Sequence, residues 1–160
     1  MGNIAAGAAS RGFEVASFDL IDRGYAGVTG GVDFLGSDQA NRYPVENIIF
    51  NPPYGRREGG TLFNRKRLEE IFVLVGLERA RRKVAAFLPA PWPNSKERGA
   101  WLETLPLARI YSIGPRPSCP PGTAIERGES TGQGTQDFCW FVFEHGHDGA
   151  PTYHWLRRDE

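Results

Sequence analysis

The amino-acid sequence predicts an α/β domain in which strands and helices alternate along the chain. Two apolar segments of strand length, Val45 to Phe50 and Val84 to Pro89, are separated by a segment with a helical apolar period, Leu62 to Ala80. Such alternation is typical of a mainly parallel sheet packed against helices. The chain has 160 residues, the length of one domain, and we therefore assign residues 1–160 to a single domain.

Composition and charge are those of an ordinary globular protein. Hydrophobic residues make up 40% of the chain, charged residues 24%, and the formal net charge is +0. A neutral protein has no overall field that attracts nucleic acid, so such contacts have to come from local basic clusters. Cys119 and Cys139 are far apart, no secretory leader is recognisable, and no apolar run approaches the ~20 residues of a membrane span. We expect a cytoplasmic protein with reduced thiols.

The first part of the chain is predicted to be a short helix followed by a strand. Residues 2–12 are small and alanine-rich, with Asn3 as N-cap and Gly12 as the stop. The strand is predicted over Glu14 to Leu20, and Asp19 lies near its end. The sequence therefore predicts a helix–strand unit that ends in a carboxylate.

The predicted helix Leu62 to Ala80 is amphipathic. Its apolar side is formed by Leu68, Ile71, Phe72, Val75 and Leu77. Glu69 is among the side chains expected on the outside. The basic residues that precede the next strand are predicted to form a solvated helix end: Arg79, Arg81, Arg82 and Lys83.

The last part of the chain is predicted to contain a helix from Asn94 or Ser95 to about Leu105 and further strands. The strands are Ala108 to Ile113, Phe138 to Phe143 and Tyr153 to Leu156. Because the second of them is apolar on both faces, we expect it in the middle of the sheet. Residues 114–136 are rich in Gly, Pro, Ser and Thr and are predicted to form a flexible loop.

Asn51, Pro52, Pro53 and Tyr54 directly follow the predicted strand Val45 to Phe50. The two prolines have no N–H to donate, so pairing with a neighbouring strand stops there. The result is a stiff ledge at the carboxyl end of a strand, where open α/β sheets bind their ligands. Its carboxamide, free carbonyls and aromatic ring suit a planar ring that carries an amino group. A proline-rich turn with a surface tyrosine is the structural alternative.

Asn-Pro-Pro-Tyr after a hydrophobic strand resembles the catalytic motif of S-adenosyl-L-methionine-dependent amino methyltransferases, above all the N6-adenine DNA methyltransferases. Related tetrapeptides occur in enzymes that methylate cytosine N4, ribosomal RNA or a protein glutamine. The order strand, Asn-Pro-Pro-Tyr, helix, strand, Leu-Pro is also similar to that of the family. The resemblance implies a Rossmann-like class I methyltransferase sheet with helices on both faces, and it makes Phe138 to Phe143 the antiparallel seventh strand.

The resemblance also implies a site for S-adenosyl-L-methionine. Asp19 would accept from the ribose hydroxyls, Asp33 from the adenine amino group, and Phe34 would contact the adenine ring. Gly2 matches the last glycine of the family's Gly-rich loop, so the first strand of the sheet has no counterpart. We therefore expect an N-terminally truncated domain that a missing segment or a partner chain completes. The structural alternatives are a solvated turn for Asp19 and a core position for Phe34.

The chemistry that the resemblance implies is transfer of a methyl group to adenine N6 in DNA. The Asn51 side-chain oxygen and the Pro52 carbonyl would accept the two amine hydrogens and concentrate charge on the nitrogen. Tyr54 would stack on the flipped base. Pro53 belongs to the same catalytic motif and stiffens it. No general base is required, because the proton can leave after the transfer.

Further substrate contacts are predicted beyond the motif. Arg56 and Arg57 would hold the phosphates that flank the base, and Trp92 would line the base pocket. Solvated arginines and a packing tryptophan are the structural alternatives. The histidine pair His145 and His147 has no acidic or cysteine partner at ligand spacing, so no metal site is predicted. Methylation of RNA or of a protein glutamine amide stays open, as does an inactive remnant that binds nucleic acid or a partner chain.

Overall fold

The computed structural model describes residues 3–36, 45–54, 67–117, 127 and 136–157. In chain order the elements are α1 (Asn3–Ala9), β1 (Ser17–Phe18), β2 (Val28–Thr29), β3 (Val45–Phe50), α2 (Leu68–Arg79), β4 (Ala80–Pro89), a 3₁₀ turn (Trp92–Asn94), α3 (Lys96–Leu102), β5 (Leu107–Gly114), β6 (Phe138–Glu144) and β7 (Thr152–Arg157). None of the described helices is long and apolar enough to cross a bilayer. The α/β prediction is confirmed.

A five-stranded sheet in the order β3-β4-β6-β5-β7 forms the centre of the structure. β3 runs parallel to β4 and β7 runs parallel to β5, whereas β6 is antiparallel to both of its neighbours. The prediction that the apolar segment from Phe138 lies mid-sheet is confirmed. β7 forms one border of the sheet, and Tyr153 and Trp155 are 59% and 74% exposed there.

The helices α2 and α3 pack on the same face of this sheet. Val84 and Phe141 point to that face and share a buried cluster with Val73 of α2 and Leu102 of α3. Phe87 and its cross-strand partner Trp140 point to the opposite face, because side chains alternate between the two faces along a strand. α2 and α3 thus cover one face of the sheet, and the expectation of helices on both faces stays a prediction. α2 and α3 share a face because the connections β3–α2–β4 and β4–α3–β5 step along the sheet in the same direction, and right-handed crossovers then place both helices on the same side.

β1 and β2 form a separate parallel pair of two residues each. The predicted strand Glu14 to Leu20 is therefore wrong in length, because a strand extends only as far as its partner. The flanking apolar side chains Phe13, Leu20 and Ile21 remain 66%, 64% and 53% exposed. In the described part of the chain β3 pairs with β4 on one edge and with no strand on the other.

The boundary between α2 and β4 differs from the prediction. β4 begins at Ala80, which pairs with Val45 of β3, so the basic residues that follow lie in a strand and not at a helix end. Lys83 pairs with Glu144 of β6 and extends the ladder on the other side. Glu69, expected on the outside, is 3% exposed. The start of β4 differs from the prediction because its pairing partners come from distant parts of the sequence.

α3 is anchored at its start and along its side. It is shorter than predicted, but the predicted cap at Ser95 is confirmed, since its hydroxyl accepts from the Arg98 N–H at 3.2 Å. The Arg98 guanidinium Nε lies 2.9 Å from Oε1 of Glu70 in α2, and both side chains are largely buried. This ion pair ties the two helices together over the shared face.

Glu144 forms a charge cluster on the face of the sheet opposite to α2 and α3. Arg109 Nη1 donates to its Oε2 at 2.6 Å, and Lys83 Nζ lies 3.4 Å from its Oε1. The hydrogen bond from Arg109 lowers the pKa of Glu144 below its usual 4.5, and the charge of Lys83 adds to this effect. Since the folded state favours the ionised carboxylate, this contribution to stability is complete above the unfolded-state pKa and is lost as the pH falls through the lowered one.

We expect Glu144→Gln to flatten the loss of thermal stability on acidification below about pH 4.5, because the titrating group is then absent. The measurement is the unfolding midpoint as a function of pH. Glu46→Gln is the matched control, since the Glu46–Arg81 pair is longer, at 3.6 Å, and both of its side chains are more than half exposed. Equal slopes for Glu144→Gln and the unmodified protein would contradict the assignment.

Candidate active site

The carboxyl end of β3 carries the motif that the sequence singled out. The pairing of β3 with β4 ends at Phe50, and the next four residues leave the sheet. Pro52 is buried, while Asn51, Pro53 and Tyr54 are exposed. The four predicted catalytic residues therefore form a ledge at the edge where the parallel strands β3 and β4 end.

The Tyr54 hydroxyl joins this ledge to β4. Its oxygen lies 2.7 Å from Oδ1 of Asn51 and 3.1 Å from the carbonyl oxygen of Phe87. Tyr54 as a residue is 45% exposed, and its ring lies against Phe138, with 6.3 Å between centroids and 34° between planes. One side of the ring is thus supported by the sheet, and nearly half of the residue's surface stays accessible.

Phe87 and Phe138 are site residues that the sequence did not reveal. Their rings stack at 4.8 Å with 9° between planes, and each is 7% exposed. They form the floor under Tyr54. The contact depends on the antiparallel pairing of β6 with β4, in which Phe138 lies opposite Pro89. The sequence signal was limited to apolar residues at the ends of two strands.

Asp33 and Phe34 lie beside β3. The Phe34 ring stacks on Phe72 at 5.0 Å, lies 5.8 Å from Phe50, and carries the Arg79 guanidinium 4.9 Å above its centroid. Arg79 also donates to the Phe34 carbonyl. The Asp33 carboxylate accepts from the Leu35 N–H at 2.9 Å. The Phe34 ring thus occupies a packed position. Its contact with Phe50 places this turn next to the start of the ledge, because Asn51 follows Phe50 directly.

Asp19 lies at the end of β1, as predicted. Its Oδ1 accepts from the Ile21 N–H at 2.9 Å, and its Oδ2 lies 3.6 Å from Arg23 Nη1. The side chain is 47% exposed. A carboxylate has about four acceptor positions, so these contacts leave room for further donors. The turn fixes the carboxylate without covering it.

Comparison with known proteins adds the fold. No protein-family model matches the sequence, and no curated protein matches it. A crystal structure of a Listeria monocytogenes protein, described as a class I S-adenosylmethionine-dependent methyltransferase, matches with a TM-score of 0.50 and 12% identity over 83% of this chain. The chain shares the fold of this protein. The match covers 42% of the Listeria protein, so this chain spans less than half of that protein's length.

Trp92 occupies a core position in this methyltransferase fold. Its indole is 5% exposed and packs on Trp101 at 6.1 Å and on Phe141 at 5.3 Å, on the face covered by the helices. Phe138, which supports Tyr54, belongs to the opposite face. A buried indole does not stack on a base unless the core opens, and we therefore leave Trp92 out of the proposed site. Its Nε1 has no hydrogen-bond partner within the described residues.

Three predicted site residues lie outside the described part of the chain: Gly2, Arg56 and Arg57. The roles predicted for them stay predictions. Within residues 3–36, 45–54, 67–117, 127 and 136–157, no three histidine, cysteine or acidic side chains converge as metal ligands. The His145 ring contacts the carbonyl oxygen of Leu77 at 2.9 Å instead.

Proposed function

We propose that this chain uses S-adenosyl-L-methionine to methylate the N6 amine of adenine in DNA, in the cytoplasm. The observation that carries the proposal is the ledge at the end of β3, where a carboxamide, a proline carbonyl and a half-exposed tyrosine stand together in a class I methyltransferase fold. Ligands of open α/β sheets bind at this edge. Fold alone does not define function, so the chemistry rests on these groups.

The chain's own groups fit an exocyclic amine as acceptor. Adenine N6 is a poor nucleophile because its lone pair is shared with the ring. The Asn51 carboxamide oxygen and the Pro52 carbonyl would accept its two hydrogens and concentrate charge on the nitrogen, as preorganised dipoles do where charge develops. Two prolines keep these acceptors rigid, so little reorganisation accompanies the reaction.

Tyr54 fits the role of a platform for the flipped base. Base–aromatic stacking contributes ~1–3 kcal/mol per base, which offsets part of the few kcal/mol that flipping costs. Tyr54 suits this role because Phe138 supports its ring and the residue is 45% exposed. Arg56 and Arg57 would add contacts to the flanking phosphates.

The cofactor's ribose and adenine ends fit the carboxylates that the chain offers. Ribose hydroxyls and an exocyclic amine are donors, and Asp19 and Asp33 are acceptors in the turns that follow the parallel strands β1 and β2, respectively. Phe34 would border the adenine, and the Gly2 segment would approach the methionine end. When bound, S-adenosyl-L-methionine supplies the electrophilic methyl group.

The experiment that tests the proposal is a transfer assay with radiolabelled cofactor and four acceptors: duplex DNA, single-stranded DNA, RNA and a glutamine-containing peptide. We expect label in DNA, released as N6-methyladenine on digestion. Label in RNA alone or in the peptide alone would show that this molecule, and not DNA, is the acceptor. No label in any of the four would favour an inactive remnant. A remnant that pairs with a partner chain is compatible with the edge of β3 that pairs with none of the described strands.

Replacing Arg56 and Arg57 with alanine separates nucleic-acid binding from other roles of the motif. With a net charge of +0, binding should rest on few phosphate contacts and show a shallow salt slope. We expect the double variant to bind unrelated DNA sequences equally weakly and to flatten that slope further. Filter binding at several salt concentrations measures this. If the unmodified protein binds no DNA even at low salt, the DNA proposal fails.

A further inference from the structure

We infer that the Tyr54 hydroxyl is a positioning group that turns the Asn51 carboxamide so that its oxygen faces the incoming amine. The inference rests on the proposed function, in which that oxygen is an acceptor. It assigns to Tyr54 a role separate from stacking, because the hydroxyl acts through Asn51 whereas the ring would act on the base.

The two hydrogen-bond contacts of Tyr54 favour one arrangement of the Asn51 carboxamide. The hydroxyl oxygen lies 2.7 Å from the Oδ1 position of Asn51 and 3.1 Å from the Phe87 carbonyl oxygen. A phenol has one hydrogen and cannot donate fully to two acceptors. A rotation of 180° about the Cβ–Cγ bond of Asn51 exchanges its oxygen and its NH₂ group. The Asn51 amide then donates to Tyr54, and Tyr54 donates to Phe87.

The Phe87 carbonyl has the stronger need for the Tyr54 proton. The β3–β4 ladder ends at Phe50 opposite Ala86, so the same register brings Asn51 next to Phe87. The following residue is Pro52, which has no N–H to offer the neighbouring strand. Phe87 is 7% exposed, and a buried carbonyl without a donor is destabilising. The Tyr54 hydroxyl therefore replaces the donor that proline lacks.

The arrangement leaves the Asn51 oxygen directed away from Tyr54. In this arrangement the phenol oxygen holds the NH₂ group, and the carboxamide oxygen of the exposed Asn51 is left to accept from a substrate. Without the hydroxyl, the carboxamide would rotate freely and present its NH₂ group for part of the time. A donor in that place repels the amine hydrogens of the substrate.

Tyr54→Phe tests this inference because it keeps the ring and removes the hydroxyl. We expect kcat to fall about tenfold, the factor that corresponds to one hydrogen bond, while KM changes little. Tyr111→Phe is the control, because it removes a hydroxyl from another tyrosine on the same face of the sheet. An unchanged kcat for Tyr54→Phe would overturn the inference. A raised kcat would overturn it as well, since the hydroxyl would then block the acceptor.

Asn51→Asp provides a rescue that a merely structural role of Tyr54 would not show. Both oxygens of a carboxylate are acceptors, so its rotation no longer matters. In the Asn51→Asp background, we expect Tyr54→Phe to lower kcat much less than it does in the unmodified protein. An equal loss in both backgrounds would contradict positioning through Asn51.

Nuclear magnetic resonance separates this inference from the proposed function. The Asn51 side-chain NH₂ signal is identified by its absence in Asn51→Asp. In Tyr54→Phe we expect that signal to shift and its exchange with water to become faster, because the hydrogen bond is lost. An unchanged signal would overturn the inference even if the protein methylates DNA. A shifted signal without methyl transfer to any acceptor would support the hydrogen bond and refute the proposed function.

Discussion

Asn51→Ala is expected to remove methyl transfer and leave the fold intact. The substitution deletes the side-chain acceptor that the proposed chemistry requires. By analogy with the loss of one oxyanion-hole donor, the barrier should rise by about 3–4 kcal/mol, which lowers the rate by about two to three orders of magnitude. Asn51 is exposed, so its truncation leaves no cavity. The measurement is the single-turnover rate of label transfer to DNA.

Asn47→Ala is the matched control for this variant. Asn47 is an exposed asparagine of β3, four residues before Asn51 and away from the ledge. We expect Asn47→Ala to keep its transfer rate. The unfolding midpoint and the affinity for S-adenosylhomocysteine, measured by calorimetry, should be the same in both variants. Near-normal turnover in Asn51→Ala would remove Asn51 from the mechanism.

Phe141→Ala is expected to have the largest effect on stability. Phe141 is 1% exposed at the centre of β6, and its ring packs on Trp92 at 5.3 Å. Removing such a side chain loses its transfer free energy and leaves a cavity, and typical losses are ~3–5 kcal/mol. Because small domains are stable by only about 5–15 kcal/mol, this is a large fraction of the whole. Urea denaturation measures the free energy of unfolding.

Phe13→Ala is the matched control, since it makes the same chemical change at a side chain that is 66% exposed. We expect a change within about 0.5 kcal/mol, as for surface substitutions generally. Similar losses at the two positions would mean that the segment before β1 is covered in solution. A small loss at Phe141 would contradict the buried cluster under α2 and α3.

Features that depend on local chemistry were predictable from the sequence. β6 is apolar on both of its faces, which predicts a strand with neighbours on each side, and it lies between β4 and β5. The cap of α3 was readable from Ser95. The ledge after Phe50 was predictable too, because two prolines end strand pairing whatever the surroundings are.

Features that depend on distant partners were not predictable. The length of β1 is set by the two residues of β2 that pair with it. The start of β4 is set by Val45 and by β6, although its basic residues suit a helix end. Glu69 is buried, although the apolar period of the helix predicts an exposed position for it. In each case, tertiary contacts outweigh a local preference.

The site shows the same division. The sequence indicates which residues form the ledge, but not that Phe138 supports Tyr54 or that the Tyr54 hydroxyl reaches Phe87. Both contacts join segments that lie 33 or more residues apart in the chain. The burial of Trp92 was likewise not readable, because a tryptophan after a strand end suits a pocket wall and a core equally well.

The exposed border strand β7 has a consequence for the colloidal behaviour of the protein. Tyr153 and Trp155 are more than half exposed on it, and a border strand carries backbone groups that can pair with another molecule. The sequence pI is about 6.8 and the formal net charge is +0, so electrostatic repulsion between molecules is weakest near neutral pH. Self-association should therefore be strongest in neutral buffers and should decrease in solutions buffered one to two pH units away from the pI.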